Sequence, residues 1–363
     1  MEWSAQQDAA LMSVRAWLKE GSPQVFRLFG FAGTGKTTLA RQIAEDVDGD
    51  VSFGAFTGKA ASVLRAKGCP DASTIHAMIY RSREGDEEGP SFTLNKNGPA
   101  AKADLIVIDE CSMVDEELGR DLLSFGKPVL VLGDPAQLPP VKGGGFFTEA
   151  EPDVMLTEVH RQAADNPIVR LSMQIREGGR LDYGTYGESR VIRRAEIDPQ
   201  TVMSADQVLV GLNKTRRLYN NRIRELKGFR DPYPAAGEKL VCLRNDKTKG
   251  LLNGGLWTIE EAKHWPGRER VVMRVASEEN QRLKAKVEVP TAFFEGTEEA
   301  LPYALRREAD EFTYGYALTV HKAQGSQWDA VVLFDESYAF REHRDRWLYT
   351  GLTRAAERIV VVR

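Results

Sequence analysis

The stretch Gly30-Phe31-Ala32-Gly33-Thr34-Gly35-Lys36-Thr37 matches the phosphate-binding loop pattern in full. An apolar, strand-like run from Val25 to Phe29 precedes it, and a helical stretch from Leu39 to Val47 follows it. Glycines let backbone N–H groups converge on phosphate oxygens at the N-terminus of a helix. The sequence therefore predicts a strand–loop–helix unit that binds a nucleoside triphosphate, and a glycine-rich turn without nucleotide is the alternative.

Residues of this loop and of the first helical turn are the predicted nucleotide contacts: Gly30, Gly33, Thr34, Gly35, Lys36, Thr37 and Thr38. In loops of this pattern the lysine reaches the β and γ phosphates, and the following hydroxyl is a ligand of Mg²⁺. We assign these roles to Lys36 and Thr37. The expected cofactors are ATP and Mg²⁺.

A second strand-like run, Leu105 to Ile108, ends in the acid pair Asp109-Glu110. Two acidic residues at the end of a buried strand need a cation or a polar site to face. We assign Asp109 to the Mg²⁺ shell and Glu110 to polarising the attacking water, which a hydrolase requires. Capping of the next helix is the alternative for either carboxylate.

Further outward, Val51 to Phe56 and Val129 to Leu132 complete a series of short apolar runs, each ending in polar or glycine residues. This series of short apolar runs predicts an α/β fold with a parallel sheet. Ligands of such sheets bind at the carboxyl ends of the strands. After Val129 to Leu132 comes Gly133 to Pro140, in which the amide of Gln137 is placed to sense the γ-phosphate or the attacking water.

Length and composition bound the remaining possibilities. A chain of 363 residues with 42% hydrophobic and 28% charged residues predicts two or three folded domains. The three cysteines are widely spaced and argue against a disulfide framework or zinc site, and neither an export signal nor a membrane span is indicated. We therefore expect a cytoplasmic protein, in a bacterium or a phage-infected host.

The net charge of −4 means that any polyanion must be held by local basic groups. The candidate groups are Arg216-Arg217, Arg222 with Arg224, Lys247 with Lys249, and Arg341 with Arg344 and Arg346. For each of these groups, a solvated helix face or loop is the alternative.

Five further stretches carry a resemblance to a known family: Ala55 to Ala61, Ser73 to His76, Leu156 to Gln162, Tyr316 to Gln327 and Tyr349 to Ala355. Together with the three strand ends, they resemble the superfamily 1 helicases, in the branch of RecD and the phage helicase Dda. The resemblance implies a motor with two RecA-like domains that hydrolyses ATP between them. It also implies translocation 5′ to 3′ on single-stranded DNA.

The resemblance further implies roles for individual residues. Arg161 and Arg354 would contact the γ-phosphate from the second RecA-like domain, where arginines stabilise charge on the transferred phosphoryl group. Gln7 occupies the position at which the family has a glutamine that binds adenine, and an exposed helix amide is the alternative. Gly325 is counted among the nucleotide contacts. The residues implied to face the nucleic-acid strand are Thr57, Lys59, Thr74, His76, Thr319, His321 and Lys322.

Two insertions are predicted. Residues 81–101, with strand-like Ser91 to Leu94 and an Asn97-Gly98 turn, predict a hairpin in the position of the family's strand-separating pin. Its one aromatic residue, Phe92, is a candidate stacking wedge, with a core role as the alternative. Residues 232–308 predict a small β-barrel, so the first RecA-like domain covers residues 1–157 and the second covers 158–231 and 309–363.

The preferred hypothesis is an ATP-dependent DNA helicase acting on single-stranded and partial duplex DNA, functional as a monomer and without a membrane partner. Replication or recombination proteins are candidate partners. Two alternatives stay open: an RNA-directed or RNP-remodelling helicase of the same superfamily, and a nucleotide-controlled binding module that does not depend on hydrolysis.

Overall fold

The computed structural model describes residues 3–83, 91–139, 145–158, 166–246, 248–265, 267–278, 280 and 282–363. The described residues form two compact units. The first unit contains the described residues up to Leu181 together with Asp345–Thr353. The second contains Asp182–Arg344 and Arg354–Arg363. Among the described helices, none is long and apolar enough to cross a membrane.

Eight strands belong to the first unit: β1 (Val25–Gly30), β2 (Val51–Ala55), β3 (Ser73–Thr74), β4 (Tyr80–Arg83), β5 (Ser91–Leu94), β6 (Leu105–Asp109), β7 (Val129–Gly133) and β8 (Val154–Leu156). Six of them form a parallel sheet in the order β3-β2-β6-β7-β1-β8. Strands β4 and β5 form the predicted hairpin as an antiparallel pair. Because the six strands are parallel, their carboxyl ends share one edge.

Eight helices complete the first unit or enter it: α1 (Ala5–Glu20), α2 (Lys36–Asp46), α3 (Gly58–Ala66), α4 (Ile75–Ile79), α5 (Pro99–Lys102), α6 (Glu116–Leu123), α7 (Pro167–Arg176) and, later in the chain, α12 (Arg344–Leu352). Apolar side chains on both faces of the sheet are buried, with separate clusters on the two faces. Helix α1 buries Ala10, Leu11, Val14 and Trp17, a helical spacing that turns one stripe to the core.

The second unit contains the remaining strands: β9 (Gly184–Tyr186), β10 (Ser189–Ile192), β11 (Gln207–Val210), β12 (Lys239–Cys242), β13 (Leu256–His264), β14 (Arg270–Ser277), β15 (Lys284–Pro290), β16 (Phe312–Tyr314), β17 (Ala317–Thr319), β18 (Trp328–Phe334) and β19 (Ala355–Val362). A six-stranded sheet runs in the order β17-β11-β18-β19-β10-β9 and is parallel except for β9. Its helices are α8 (Pro199–Met203) and α9 (Asn213–Leu226).

The insertion in the second unit is a five-stranded antiparallel sheet in the order β15-β14-β13-β12-β16. Two short helices, α10 (Ala292–Glu295) and α11 (Tyr303–Glu308), lie between its last two strands in the chain. The amide of Asp310 donates to the carbonyl of Glu288 at 3.0 Å, which brings the two edges of the sheet together. This sheet corresponds to the predicted barrel insertion.

The α/β fold class, with two parallel-sheet domains, a hairpin in the first and a small β insertion in the second, is confirmed. The compact units and the predicted boundaries differ in detail. Asp345–Thr353 packs with the first unit, and the insertion takes its fifth strand, Phe312–Tyr314, from beyond residue 308. The Asn97-Gly98 turn lies after the hairpin, where Gly98 is the N-cap residue that precedes helix α5.

Candidate functional site

The phosphate-binding loop connects the end of β1 to the start of α2 at the carboxyl edge of the first sheet. Gly33 and Gly35 have φ values of 82° and 83°, a conformation that glycine adopts without steric cost. A Cβ on Gly30 would lie 2.7 Å from Thr34 Oγ1 and 2.8 Å from Leu156 Cβ, so larger residues do not fit there. The sequence therefore uses glycine where the loop requires it.

Lys36 and Thr37 begin helix α2 and point to different partners. The Lys36 ammonium group donates to the carbonyls of Gly30 at 2.6 Å and Phe31 at 3.0 Å, so it lies over the loop. The Thr37 hydroxyl donates to Asp109 Oδ2 at 3.2 Å. The predicted magnesium ligands Thr37 and Asp109 are thus neighbours, while Thr38 follows in the same helical turn.

Asp109 ends the central strand β6, and Glu110 follows it in an unusual conformation. The Glu110 amide donates to Asp109 Oδ1 at 2.8 Å. Burial raises the pKa of the Asp109 carboxyl, and the neighbouring charge of Glu110 raises it further. Glu110 has φ 53° and ψ 47°, a left-handed conformation that costs a non-glycine residue about 1–2 kcal/mol. Strain of this kind persists where the surrounding structure holds it.

A tyrosine from late in the chain completes this region within the first unit. The Tyr349 hydroxyl donates to Asp134 Oδ2 at 2.6 Å and accepts from the Ala32 amide at 3.1 Å. It therefore connects the phosphate-binding loop to the turn after β7. Burial raises the pKa of Asp134. Sequence reasoning missed both side chains as site residues, although Tyr349 opens a quoted motif and Asp134 directly follows an apolar strand.

Gln137 lies in the same turn, and its backbone N–H donates to the backbone carbonyl of Asp134 at 3.1 Å. Its side chain is buried, and its Oε1 has no hydrogen-bond partner among the described residues. A buried amide oxygen without a donor is costly and calls for a functional explanation. The predicted role of Gln137 in sensing phosphate or water provides one.

Gln7 reaches the phosphate-binding loop from helix α1. Its Nε2 donates to the Thr34 carbonyl at 3.1 Å, and its Oε1 accepts from the Ser4 amide at 3.1 Å. The side chain is 3% exposed, so the alternative of an exposed helix amide is wrong. The neighbouring Gln6 binds β8 and the residues after it instead, through the Met155 carbonyl and Thr157.

In the first unit, the residues that are predicted to contact the nucleic-acid strand lie at the carboxyl ends of β2 and β3. The Thr57 hydroxyl accepts from the Ala60 amide and caps α3, and the Thr74 hydroxyl accepts from the Ala77 amide and caps α4, both at 3.1 Å. Lys59, in the first turn of α3, is buried. These three residues therefore share the edge that carries the phosphate-binding loop.

His76 is exposed and lies between two aromatic rings. Its ring centroid is 6.4 Å from that of Phe56 and 5.7 Å from that of Tyr80. Aromatic side chains of this kind are surfaces on which unpaired bases stack. The Phe92 side chain and Arg161 lie outside the described residues.

The remaining predicted residues lie in the second unit. The Thr319 hydroxyl, at the end of β17, accepts from the Lys322 amide at 3.3 Å, and the ring of His321 lies 5.4 Å from that of Phe340. Burial lowers the pKa of His321. Gly325 has a left-handed φ of 73° in the same turn region.

Arg354 is 5% exposed and donates to the Ser326 carbonyl at 3.3 Å. This contact joins the stretch Tyr349 to Ala355 to the stretch Tyr316 to Gln327, which precedes β18. The Arg354 carbonyl accepts from the Trp328 amide at 2.9 Å, so both ends of the residue are held against the same segment.

Two family models match the chain. One, described as an AAA domain, matches residues 3–196, and the other, described as a UvrD-like helicase C-terminal domain, matches residues 314–362. The two parallel sheets, the phosphate-binding loop and the acid pair define the class as P-loop nucleotide-binding proteins. The chain belongs to the superfamily 1 helicases, in the branch of RecD and Dda.

Individual relatives agree with this assignment. The chain is 32% identical to the ATP-dependent RecD2 DNA helicase of Deinococcus radiodurans, over 91% of this chain and 46% of that protein. It is 34% identical to the ATP-dependent DNA helicase dda of Enterobacteria phage T4, over 41% of this chain and 37% of that protein. The chain thus spans about half the length of the first relative, and the match covers less of the second.

A crystal structure of Pif1 helicase from Bacteroides in complex with ADP-AlF3 and ssDNA has the same fold. The TM-score is 0.59 at 18% sequence identity, and the alignment covers 99% of this chain and 92% of that one. At this identity the likeness establishes the fold. Residue roles depend on the side chains described above.

Proposed function

We propose that this chain is an ATP-dependent helicase that translocates 5′ to 3′ on single-stranded DNA and separates duplex ahead of it. The observation that carries the proposal is the group of side chains at the carboxyl edge of the first sheet: Lys36, Thr37, Asp109 and Glu110 are brought to one place by two different segments, the start of α2 and the end of β6. Membership of the helicase family, the RecD2 DNA helicase as a relative and the ssDNA complex of the Pif1 protein support DNA as the track.

The residues at this edge fit a nucleotide with its metal ion. Loop amides and the ammonium group of Lys36 suit phosphate oxygens, and the Thr37 hydroxyl with the Asp109 carboxylate is the oxygen donor set that Mg²⁺ prefers. When bound, Mg²⁺ neutralises charge on the β and γ phosphates. Raised pKa values at Asp109 and Asp134 agree with carboxylates placed to face positive charge.

In this mechanism Glu110 orients and polarises the attacking water, and the amide of Gln137 senses the water or the γ-phosphate. Arg161 and Arg354 are proposed to stabilise the charge that develops on the transferred phosphoryl group. Gln7 is proposed to read adenine, and Gly325 to contact the nucleotide. Hydrolysis in the cleft between the two RecA-like domains then drives movement along the strand.

The strand is proposed to contact hydroxyl, cationic and imidazole groups that bind backbone phosphates without reading bases: Thr57, Lys59, Thr74, His76, Thr319, His321 and Lys322. Phe92 is the proposed wedge. If Phe92→Ala unwinds duplex normally at an unchanged ATPase rate, the wedge role is wrong. The domain boundaries 1–157, 158–231 with 309–363, and 232–308, and the monomer as functional unit, also stay predictions.

Unwinding assays on partial duplexes with a 5′ or a 3′ single-stranded tail test the proposal. We expect unwinding of the 5′-tailed substrate only, with no unwinding by Lys36→Ala and full activity in the matched control Lys19→Ala, which changes an exposed lysine of α1. Preference for the 3′ tail contradicts the polarity. Loss of activity in the Lys19→Ala control contradicts the assignment of the effect to the loop.

Two further measurements separate the alternatives. Stimulation of ATP hydrolysis by DNA but not RNA homopolymers supports a DNA helicase, and the reverse supports an RNA-directed enzyme. If the protein binds ATP, shows no strand-stimulated hydrolysis, and is unaffected by Glu110→Gln, the nucleotide-controlled binding module replaces the helicase.

A further inference from the structure

Helix α9 and the end of strand β17 are held together by one side chain. Asn220 Nδ2 donates to the Ala317 carbonyl at 3.0 Å, and Asn220 Oδ1 accepts from the Ala317 amide at 2.9 Å. Arg216 lies about one turn, or ~5.4 Å, before Asn220 in the helix. Thr319 lies about 6.6 Å beyond Ala317 along the strand. Helix α9 begins shortly after β11, whose last residue, Val210, pairs with Thr319 in the sheet. The first turn of α9, with Arg216, therefore lies near the turn from Thr319 to Lys322.

Arg216 is buried without the partners that a buried charge needs. It is 6% exposed, and its Nε and Nη1 atoms have no hydrogen-bond partner in the part of the chain that the structure describes. An unpaired buried guanidinium costs several kcal/mol, because it has lost water without gaining an anion. Such a group is explained if an anion binds there in the working protein.

The neighbouring arginines of α9 are paired. Arg217 binds Glu298 at 3.0 Å, Arg222 binds Glu225 at 2.8 Å, and Arg224 binds Glu238 at 2.6 Å. Lys249, another candidate from the sequence, binds Asp310 at 2.7 Å, and Lys247 lies outside the described residues. These contacts give the paired residues a structural role and distinguish Arg216 from them.

Two cationic side chains, Arg217 and Lys322, act electrostatically with Arg216, and one carboxylate, Glu298, opposes them. Burial lowers the pKa of Arg216, and the charge of Arg217 lowers it further. Desolvation of the ammonium group and the charge of Arg216 lower the pKa of Lys322. The carboxylate that acts on Arg216 in the opposite direction, Glu298, is hydrogen-bonded to Arg217. A bound anion would therefore relieve repulsion between Arg216 and Lys322.

The N-terminus of α9 does not account for an anion site by itself. The Gly211 and Leu212 amides donate to Glu336 Oε2 at 2.7 Å and 3.1 Å, and the Thr215 hydroxyl donates to Glu336 Oε1 at 2.6 Å. Those donors are already occupied by a carboxylate of the same unit. An anion at this end of the helix would therefore depend on the side chain of Arg216.

We propose that Arg216, together with Lys322, binds one backbone phosphate of the nucleic-acid strand. A guanidinium group matches a phosphate with two parallel hydrogen bonds, and a lysine adds a point charge. The proposal rests on the proposed function, because the strand is what brings a phosphate to the turn from Thr319 to Lys322. It adds to the predicted strand contacts an arginine from a different segment of the chain.

Binding of a fluorescent oligo-dT strand, measured by anisotropy over a range of salt concentrations, tests this assignment in Arg216→Met. Methionine keeps much of the volume and removes the charge. We expect affinity to fall about tenfold or more, since hydrogen bonds to charged groups are strong. The slope of log affinity against log salt should fall by about 0.7, the value for one phosphate contact on a single strand. The melting temperature should not fall, because an uncompensated buried charge is removed.

Arg222→Met is the matched control, because Arg222 is an exposed arginine of the same helix. It should bind oligo-dT like the wild type. Arg216→Lys should restore the salt slope but only part of the affinity. Wild-type affinity and slope in Arg216→Met overturn the proposal, and so does weaker binding with an unchanged slope, which indicates a structural effect. Loss of ATP affinity instead of oligo-dT affinity overturns it as well.

The same experiment separates this assignment from the proposed function. If the wild-type protein does not bind oligo-dT, the helicase function fails and the Arg216 site fails with it. If the wild type binds with a steep salt dependence and Arg216→Met binds equally well, only the Arg216 site fails.

Discussion

Two groups of charged side chains, one partly buried and one buried, differ in how completely their charges are compensated. In the first unit, Asp109 lies beside Glu110, and burial raises the pKa of both Asp109 and Asp134. In the second unit, Arg224 and Glu238 form two hydrogen bonds, at 2.6 Å and 2.9 Å. The Arg224 guanidinium also donates to two carbonyls, and Glu238 also accepts from the Ala235 amide.

Structural and functional charges can be distinguished by how completely they are compensated. A fully paired buried charge contributes to holding one conformation, and breaking it is costly. Carboxylates that stay under-compensated reduce stability, and natural proteins keep such features mainly at functional sites. On this basis the nucleotide edge of the first sheet and the Arg224–Glu238 pair should respond to substitution in opposite ways.

The largest expected effect is at Glu110. Glu110→Gln should lower kcat for ATP hydrolysis by about 10²–10⁴-fold, the usual contribution of a general base, with little change in the melting temperature. Steady-state hydrolysis with saturating oligo-dT measures it. Glu117→Gln, on the exposed side of α6, is the control and should hydrolyse ATP normally. If kcat falls by less than tenfold, Glu110 is not the general base, and the nucleotide edge differs less from the Arg224–Glu238 pair than we propose.

The next effect is at the paired group. Glu238→Ala should reduce the free energy of unfolding of the second unit by about 3–5 kcal/mol, because it leaves Arg224 buried without its partner. Urea denaturation measures the loss. Glu225→Ala breaks the exposed pair with Arg222 and should cost less than about 1 kcal/mol. Equal losses in the two variants contradict the structural role of the buried pair.

A smaller effect is expected at Tyr349, which links Asp134 to the phosphate-binding loop. Tyr349→Phe removes both hydrogen bonds of the hydroxyl and leaves Asp134 with one donor fewer, at a cost of about 1–3 kcal/mol. Thermal unfolding measures the change. Tyr338→Phe, at a tyrosine that is 67% exposed, should melt like the wild type. A Tyr349→Phe variant as stable as this control excludes the hydroxyl as a stabilising link.

The smallest effect is a gain in stability from Asp109→Asn, with a specific pH dependence. Because burial and Glu110 raise the pKa of Asp109 in the folded protein, the folded state holds this proton more tightly than the unfolded state. The ionisable carboxyl therefore begins to lower stability once the pH exceeds the ordinary pKa that it has in the unfolded chain, and the loss is complete above the raised pKa. Asp109→Asn should melt a few degrees above the wild type at about pH 7.

The gain should shrink as the pH falls below the raised pKa of Asp109 and disappear below the ordinary range of a carboxyl group, since Asp109 is then protonated in both the folded and the unfolded chain. Asp48→Asn, at an exposed carboxylate, should show no such gain at any pH. If the melting temperature of Asp109→Asn at about pH 7 is equal to or lower than that of the wild type, the charge at Asp109 is compensated. Asp109 then does not belong to the under-compensated group.

Much of the fold could be predicted because buried parallel strands are apolar throughout. Strands β1, β2, β6 and β7 begin at the predicted residues and end within one residue of the predicted ends. Strands β9 and β10 were missed, because β9 is largely exposed and β10 alternates buried and exposed residues over only four positions. Neither produces the continuous apolar run that identifies a central strand.

The candidate site was predictable where chemistry and spacing coincide in one segment, as at Lys36, Thr37 and Asp109. Tyr349 was not predictable as a partner of Asp134, because a tyrosine in a motif does not indicate which residue, far away in the chain, will accept its hydrogen bond. Arg216 appeared only as one of several basic residues. Its burial without a partner depends on the packing of α9 against β17, which no local pattern specifies.

The position of Tyr349 also has a consequence for protein synthesis. Chains emerge from the ribosome N-terminus first, and domains begin to fold as they emerge. The first unit takes in Asp345–Thr353, so its phosphate-binding loop and Asp134 emerge long before the tyrosine that joins them. During translation, the first unit therefore waits for nearly all of the second unit to be made before its nucleotide edge is complete.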